Sequence, residues 1–122
     1  MKTVLVVDDS RIMRNIVKNT FSQLKIPCLF IDAANGIEAL QKLQTDPVDL
    51  ILLDWNMPEL SGIEFLKKVR AQEKYKNLPV IMVTSEAAKY NVIDALKSGA
   101  TDYIIKPINE KNFIEKLSRL AL

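Results

Sequence analysis

Three carboxylates, a hydroxyl and a lysine are the side chains of this sequence whose types and positions could do chemistry together. Asp8 and Asp9 follow the apolar run Thr3–Val7, and Asp54 follows Ile51, Leu52 and Leu53. Thr84 (with Ser85) follows Val80–Val83, and Lys106 with Pro107 follows Tyr103–Ile105. Taken singly, each has an ordinary explanation: the acidic pair could cap a helix, the threonine could be a strand-end hydroxyl, the lysine could be solvated surface. Together they close four separate apolar runs, and strand ends are where ligands bind in open α/β sheets. Clustered carboxylates repel one another, and their pKa values rise unless a cation balances them. Oxygen donors without nitrogen or sulfur favour a hard divalent ion such as Mg²⁺. A lysine and a hydroxyl added to a metal give the cation and hydrogen-bond donor that phosphoryl transfer needs. A carboxylate can itself be the nucleophile, and Asp54, held directly behind an apolar run, is the best placed.

The chain contains no histidine. That removes His-based metal sites, Ser-His and Cys-His nucleophile systems and internal phosphohistidine chemistry. The single cysteine, Cys28, excludes an internal disulfide and reads as a small buried strand residue. With 122 residues, 48% apolar and 26% charged, the chain has the size and composition of one globular domain, spanning 1–122. The net charge of +2 is small and the basic residues are scattered, which argues against nucleic acid or an anionic membrane as partner. No apolar stretch approaches the roughly 20 residues of a membrane span, and no signal-peptide layout precedes the first strand pattern. The expected location is cytoplasmic, and the expected state is a monomer.

The elements that must position these residues are legible as two alternating patterns. Thr3–Val7, Cys28–Ala33, Leu50–Leu53, Val80–Val83 and Tyr103–Ile105 are short and almost continuously apolar, as strands covered on both faces must be. Between them, apolar residues recur at helical spacing: Ile12, Met13, Ile16, Val17, Phe21 and Leu24; then Ile37, Leu40 and Leu43; Ile63, Leu66 and Val69; Val92, Ile93 and Leu96; and Phe113, Ile114, Leu117 and Leu120. Asn35 and Asn109 are suited to N-caps, Ser61 with Glu64 to a capping box, and Gly99 to a helix end. Five βα units in a row predict an α/β fold: a parallel sheet with right-handed crossovers in a three-layer sandwich. The second run, ending Asp32-Ala33-Ala34-Asn35, is expected to lie outside the site. The last helix runs to Leu122, which leaves no room for an output domain.

The set Asp8-Asp9, Asp54, Thr84 and Lys106-Pro107, in this order on five βα units, resembles the receiver domain of two-component response regulators. The likeness covers essentially the whole chain and is strongest to the single-domain chemotaxis receivers. Asp54-Trp55-Asn56-Met57-Pro58, Met13-Arg14, the Thr84-x-Glu86 step and Gly99-Ala100 ahead of Tyr103-Ile104-Ile105 carry it. The resemblance implies a doubly wound, flavodoxin-like sheet in the order 2-1-3-4-5. It implies that Asp54 accepts a phosphoryl group from the phosphohistidine of a partner histidine kinase. It implies a Mg²⁺ site of Asp8, Asp9, Asp54 and the Asn56 backbone carbonyl, with Asp8 acting largely through water. Lys106 would pair with the phosphoryl oxygens, and its bond to Pro107 would be cis. Thr84 and Tyr103 would form the switch, the tyrosine rotating inward. Lys89, Val92, Leu96, Tyr103, Ile105 and Lys116 would make a partner face suited to a helix with acidic flanks, the flagellar motor switch in the chemotaxis version. Asn56 and Glu86 would border the path of attacking water and tune dephosphorylation, a reaction in which a phosphatase partner is also admitted.

Two positions depart from the pattern of those receivers. Ile108 stands where Phe is usual, and Ser85 where Ala is usual; both bear on output and neither on phosphorylation. A phosphorelay intermediate or another non-chemotaxis receiver is the alternative within the same class. Hydrolases that form an aspartyl-phosphate need a second Asp two residues after the nucleophile, and Asn56 stands there, so an enzyme acting on a separate substrate is disfavoured. What remains is self-phosphorylation and autodephosphorylation. A degenerate scaffold is disfavoured because every chemical position is filled.

Overall fold

The computed structural model describes residues 1–120. Five strands alternate with five helices: β1 (Lys2–Val7), α1 (Arg11–Gln23), β2 (Cys28–Ala33), α2 (Gly36–Thr45), β3 (Leu50–Leu53), α3 (Gly62–Arg70), β4 (Val80–Thr84), α4 (Lys89–Lys97), β5 (Asp102–Ile105) and α5 (Glu110–Ser118). All strand pairs are parallel, and the order is β2-β1-β3-β4-β5. A short 3₁₀ turn, Glu73–Tyr75, lies between α3 and β4; no sequence pattern announced it.

The continuous apolarity of the strands has a simple cause. Alternate residues of each strand face opposite sides of the sheet. Leu5, Val7, Ile51, Leu53, Val80, Met82 and Tyr103 pack with α2, α3 and α4 residues such as Ala39, Phe65, Leu66 and Ala95. Val4, Val6, Leu50, Leu52, Ile81, Val83 and Ile104 pack with Val17 and Phe21 of α1 and Phe113 and Leu117 of α5. Phe21 meets Phe113 and Phe30 edge to face, with ring centroids 5.2 and 5.3 Å apart.

The expected helix ends are present. Asn35 and Asn109 accept from backbone amides of the first turns of α2 and α5. Ser61 and Glu64 form the full capping box of α3. Gly99 follows α4 at φ +113°, a conformation that suits glycine. Its missing Cβ also leaves room for the Arg70 side chain, which donates to the Gly99 carbonyl.

Three expectations need correction. Strand β2 is not covered on both faces: it is an edge strand, and only Ala33 of its six residues is buried. Cys28 is accordingly half-buried. In α1, the apolar residues do not form one buried stripe, because Ile12 is 74% and Ile16 41% exposed. The buried arc is Val17, Thr20 and Phe21. At about 100° per residue, Ile16 lies about 100° and Ile12 about 140° from Val17, off the face that meets the sheet.

One glycine ties the fold to the functional edge. Gly62, the first residue of α3, donates to the Trp55 carbonyl at 2.9 Å, and a Cβ there would stand 2.1 Å from the Asp54 carbonyl oxygen. Backbone cannot yield as a flexible side chain does. Gly62→Ala is therefore expected to destabilise the protein by about 1–3 kcal/mol, as overpacking does. Urea unfolding would measure it, and an unchanged midpoint would refute the close approach.

Candidate functional site

The sheet ladder continues past the strand ends and fixes the chemical residues. The Asp8 amide donates to the Ala33 carbonyl at 3.1 Å, Asp54 to Val7 at 2.9 Å and Lys106 to Thr84 at 2.9 Å. Each functional residue is thus held by the last carbonyl of a neighbouring strand. The local turns add further bonds. Ser10, N-cap of α1, donates its amide to Asp8 Oδ1 at 2.9 Å, and the Trp55 amide donates to Asp54 Oδ1 at 2.8 Å.

Lys106 crosses from the end of β5, over β4, to the carboxylates that follow β1 and β3. Its Nζ lies 2.9 Å from Asp8 Oδ2 and 3.6 Å from Asp54 Oδ2. Asp8 and Asp54 are buried, whereas Asp9 is exposed. The three can present ligand oxygens within 4.8 Å of one another. The donor set is entirely hard oxygen, one member is open to solvent, and the shared lysine offsets only part of the negative charge. These residues therefore fit a divalent cation such as Mg²⁺.

Burial pushes the Asp54 carboxyl up from 3.8, and the neighbouring Asp8 charge pushes it further. The Lys106 ammonium, the Thr84 hydroxyl and the Trp55 amide pull the other way. Thr84 is fully buried, and its Oγ1 accepts from the Glu86 amide at 3.4 Å. Tyr103 stands inward, 7% exposed, and donates its hydroxyl to the Glu86 carbonyl at 2.6 Å. Its pKa is pushed up to about 12, first by burial, then by Glu86 and Asp54. Asn56 Nδ2 donates to Glu86 Oε1 at 3.0 Å. The Lys106–Pro107 bond is cis, as the resemblance implied.

The chain shares this arrangement with known proteins. Residues 4–118 match the family model described as the response regulator receiver domain. The chain belongs to the response-regulator receiver family. It is 47% identical, over 93% of its own length and 88% of the relative, to a chemotaxis protein CheY homolog of Campylobacter jejuni. It is 46% identical to chemotaxis protein CheY1 of Helicobacter pylori, over 93% of this chain and 92% of that one. Among solved structures it is similar to Vibrio cholerae chemotaxis protein CheY4, with a TM-score of 0.88 and 38% identity over 98% of both chains. The strand order and layers are those of a CheY-like receiver.

Of the residues expected on the partner face, Lys89, Leu96 and Ile105 are exposed and Val92 is half-buried. Tyr103 lies beneath that surface. Lys116 is not a free cation: its Nζ is 2.9 Å from Asp102 Oδ1. Sequence reasoning missed the brace behind Asp8. Arg14 Nε pairs with Asp32 Oδ2 at 3.2 Å, Lys18 Nζ pairs with Asp32 Oδ1 at 2.6 Å, and Arg14 also donates to the Asp8 carbonyl. Asp32 lies outside the site, as expected of that strand, yet it orients a side chain that holds the site's backbone. The signal available was the four-residue spacing of Arg14 and Lys18 on one helix face.

A carboxyl whose folded pKa lies above its unfolded value favours the fold fully only below the unfolded value. That contribution is lost as pH rises through the folded pKa. At neutral pH the ionised Asp54 is therefore a net cost. Asp54→Asn should raise the melting temperature by a few degrees in chelator at neutral pH, since Lys106 keeps Asp8 as its partner. The gain should disappear below the unfolded pKa of 3.8. Thermal melts across pH decide it; a lower melting temperature for the variant at neutral pH would contradict the electrostatic account.

Proposed function

We propose that this protein is a phosphoacceptor switch: Asp54 takes a phosphoryl group from a histidine kinase with the help of Mg²⁺, and the modified protein binds a downstream partner differently. The observation that carries the reading is Lys106 shared between buried Asp8 and Asp54, a cation placed to exchange a carboxylate for phosphoryl oxygens. Asp54 is the acceptor in this reading because it directly follows the central strand, its amide donating to the Val7 carbonyl and its Oδ1 accepting from the Trp55 amide, with Oδ2 towards Lys106. Asp8, Asp9, Asp54 and the Asn56 carbonyl would hold the metal, which when bound neutralises the charge gathering on the phosphoryl oxygens. Thr84 supplies a hydroxyl at the neighbouring strand end, and Lys106 supplies the fixed positive charge. The chain's chemistry is confined to its own modification and autodephosphorylation.

The chemotaxis version is favoured, with the flagellar motor switch as partner and the cytoplasm as location. It is supported by the similarity to chemotaxis receivers over nearly the whole chain. The exposed Leu96 and Ile105 with Lys89 make a mixed apolar and basic face. Among the described residues no helix is long and apolar enough to cross a membrane. We take residues 1–122 as one receiver domain.

Trp55, directly after Asp54, reports the chemistry. Mg²⁺, and then acetyl phosphate or beryllofluoride, should each change its fluorescence, and Asp54→Asn should abolish the second change. An unresponsive unmodified protein would sink the phosphoacceptor reading. The partner is tested separately, by titrating a flagellar switch peptide with and without beryllofluoride. Tighter binding with the mimic is expected; equal affinity in both states would count decisively against the motor-switch version.

A further inference from the structure

We propose that Asn91 on α4 is a positioning residue that holds Glu86 beside Asn56 and thereby lengthens the life of the phosphoryl group on Asp54. The inference rests on the phosphoacceptor reading above. Glu86 is engaged from four directions. Its Oε1 accepts from Asn56 Nδ2 at 3.0 Å and its Oε2 from Asn91 Nδ2 at 3.2 Å. Its amide donates to Thr84 Oγ1 at 3.4 Å, and its carbonyl accepts from the Tyr103 hydroxyl at 2.6 Å. One residue thus joins the loop after β3, the end of β4, the first turn of α4 and β5.

Helix α4 makes this contact consequential. Its N-cap, Ala88, offers no side-chain acceptor, and no acidic residue lies in its first turn. Glu86, bonded to Asn91 in that turn, supplies the negative charge that a helix N-terminus favours. Losing Asn91 therefore loosens the carboxylate and the start of α4 together.

Hydrolysis of the aspartyl-phosphate joins a water oxygen to phosphorus and breaks the bond from phosphorus to the Asp54 oxygen. Inorganic phosphate leaves, Asp54 returns as a carboxylate, and the water's protons pass to the phosphate and to solvent. Two amides, one on each oxygen, hold Glu86 in a single orientation on the α4 side. Freed at Oε2, the carboxylate turns and accepts from a water entering beside Asn56, which orients that water for attack. Asn91 keeps it from doing so.

The test compares four proteins: unmodified, Asn91→Ala, Glu86→Ala and the double variant. Each is loaded with acetyl phosphate and Mg²⁺ and desalted, and the acid-labile phosphate left on the protein is followed with time. Asn91→Ala should shorten the lifetime by roughly two- to tenfold, the range one hydrogen bond gives. The same substitution should have no further effect in the Glu86→Ala background, and Asn91→Gln should restore part of the lifetime where Asn91→Asp does not. A merely structural role would shift the melting temperature without this dependence on Glu86. An unchanged or lengthened lifetime, or an equal effect in both backgrounds, overturns the proposal. If the unmodified protein carries no acid-labile phosphate, the phosphoacceptor reading falls and this one with it; normal loading with an indifferent Asn91 sinks this one alone.

Discussion

The site depends on one constraint: two buried carboxylates and an exposed third must coexist at one sheet edge with a single lysine among them. Lys106 lies 2.9 Å from Asp8 and 3.6 Å from Asp54, each mostly shielded from water. Burial of both carboxylates would be costly without it. The rest of the structure serves that arrangement. The sheet order puts β1 and β3 side by side, so their terminal acids meet, and puts β5 two strands from β3, at a lysine's reach. The backbone bonds from Asp8, Asp54 and Lys106 to Ala33, Val7 and Thr84 leave little freedom at the Cα atoms. Gly62 then lets α3 start against the Asp54 carbonyl, which closes the loop after β3.

Beside these residues a chain of hydrogen-bonded groups runs away from Asp54. Thr84 is buried with its hydroxyl near Asp54, Glu86 sits two residues on, and Tyr103 is bonded to the Glu86 carbonyl. Thr84 Oγ1 accepts from the Glu86 amide while its O–H is left to donate towards Asp54, so in the proposed modified state a phosphoryl oxygen would draw on that hydroxyl and, through it, on the Glu86 amide. In the proposed switch that pull would reach the segment between β4 and α4 through Glu86, which carries the segment's hydrogen bonds while Ser85, Ala87, Ala88 and Lys89 are all exposed. Discrete alternative hydrogen bonds, and not continuous deformation of the packed sheet, would be its physical means.

Much of this was legible in the sequence because the strands leave little choice. Runs such as Leu50–Leu53 must be covered on both faces, which forces helices onto both sides and all strand ends onto one edge. Ser61–Glu64, Asn35 and Asn109 marked the helix starts because caps are local chemistry. What stayed hidden depends on contacts distant in sequence. The periodicity of α1 could not say that Ile12 and Ile16 miss the sheet, since that depends on where Val17 and Phe21 land. The apolar run of β2 looks like its neighbours in pattern, and only the strand order, which the resemblance implied, sets it at the edge. Lys116 was expected on the partner face, and only the folded chain brings Asp102 to it. The four-residue spacing of Arg14 and Lys18 puts both on one face of α1, but only the folded chain shows that Asp32 of β2 is their common partner.

The choice of lysine at position 106 follows from the same geometry. An arginine fork satisfies one carboxylate with two parallel bonds and is held there by its planarity. A lysine ammonium is a compact charge with three rotatable donors, so it can serve two acids from different strands at once. The bonds are unequal, 2.9 Å to Asp8 and 3.6 Å to Asp54. The shorter anchors the ammonium to Asp8, which is not the proposed acceptor. The longer faces the residue proposed to be modified, so it is the weaker contact that must be exchanged for a phosphoryl oxygen. Holding on through Asp8 would let Lys106 change partners at Asp54 without leaving the site, an asymmetry that suits the proposed reversible acceptor.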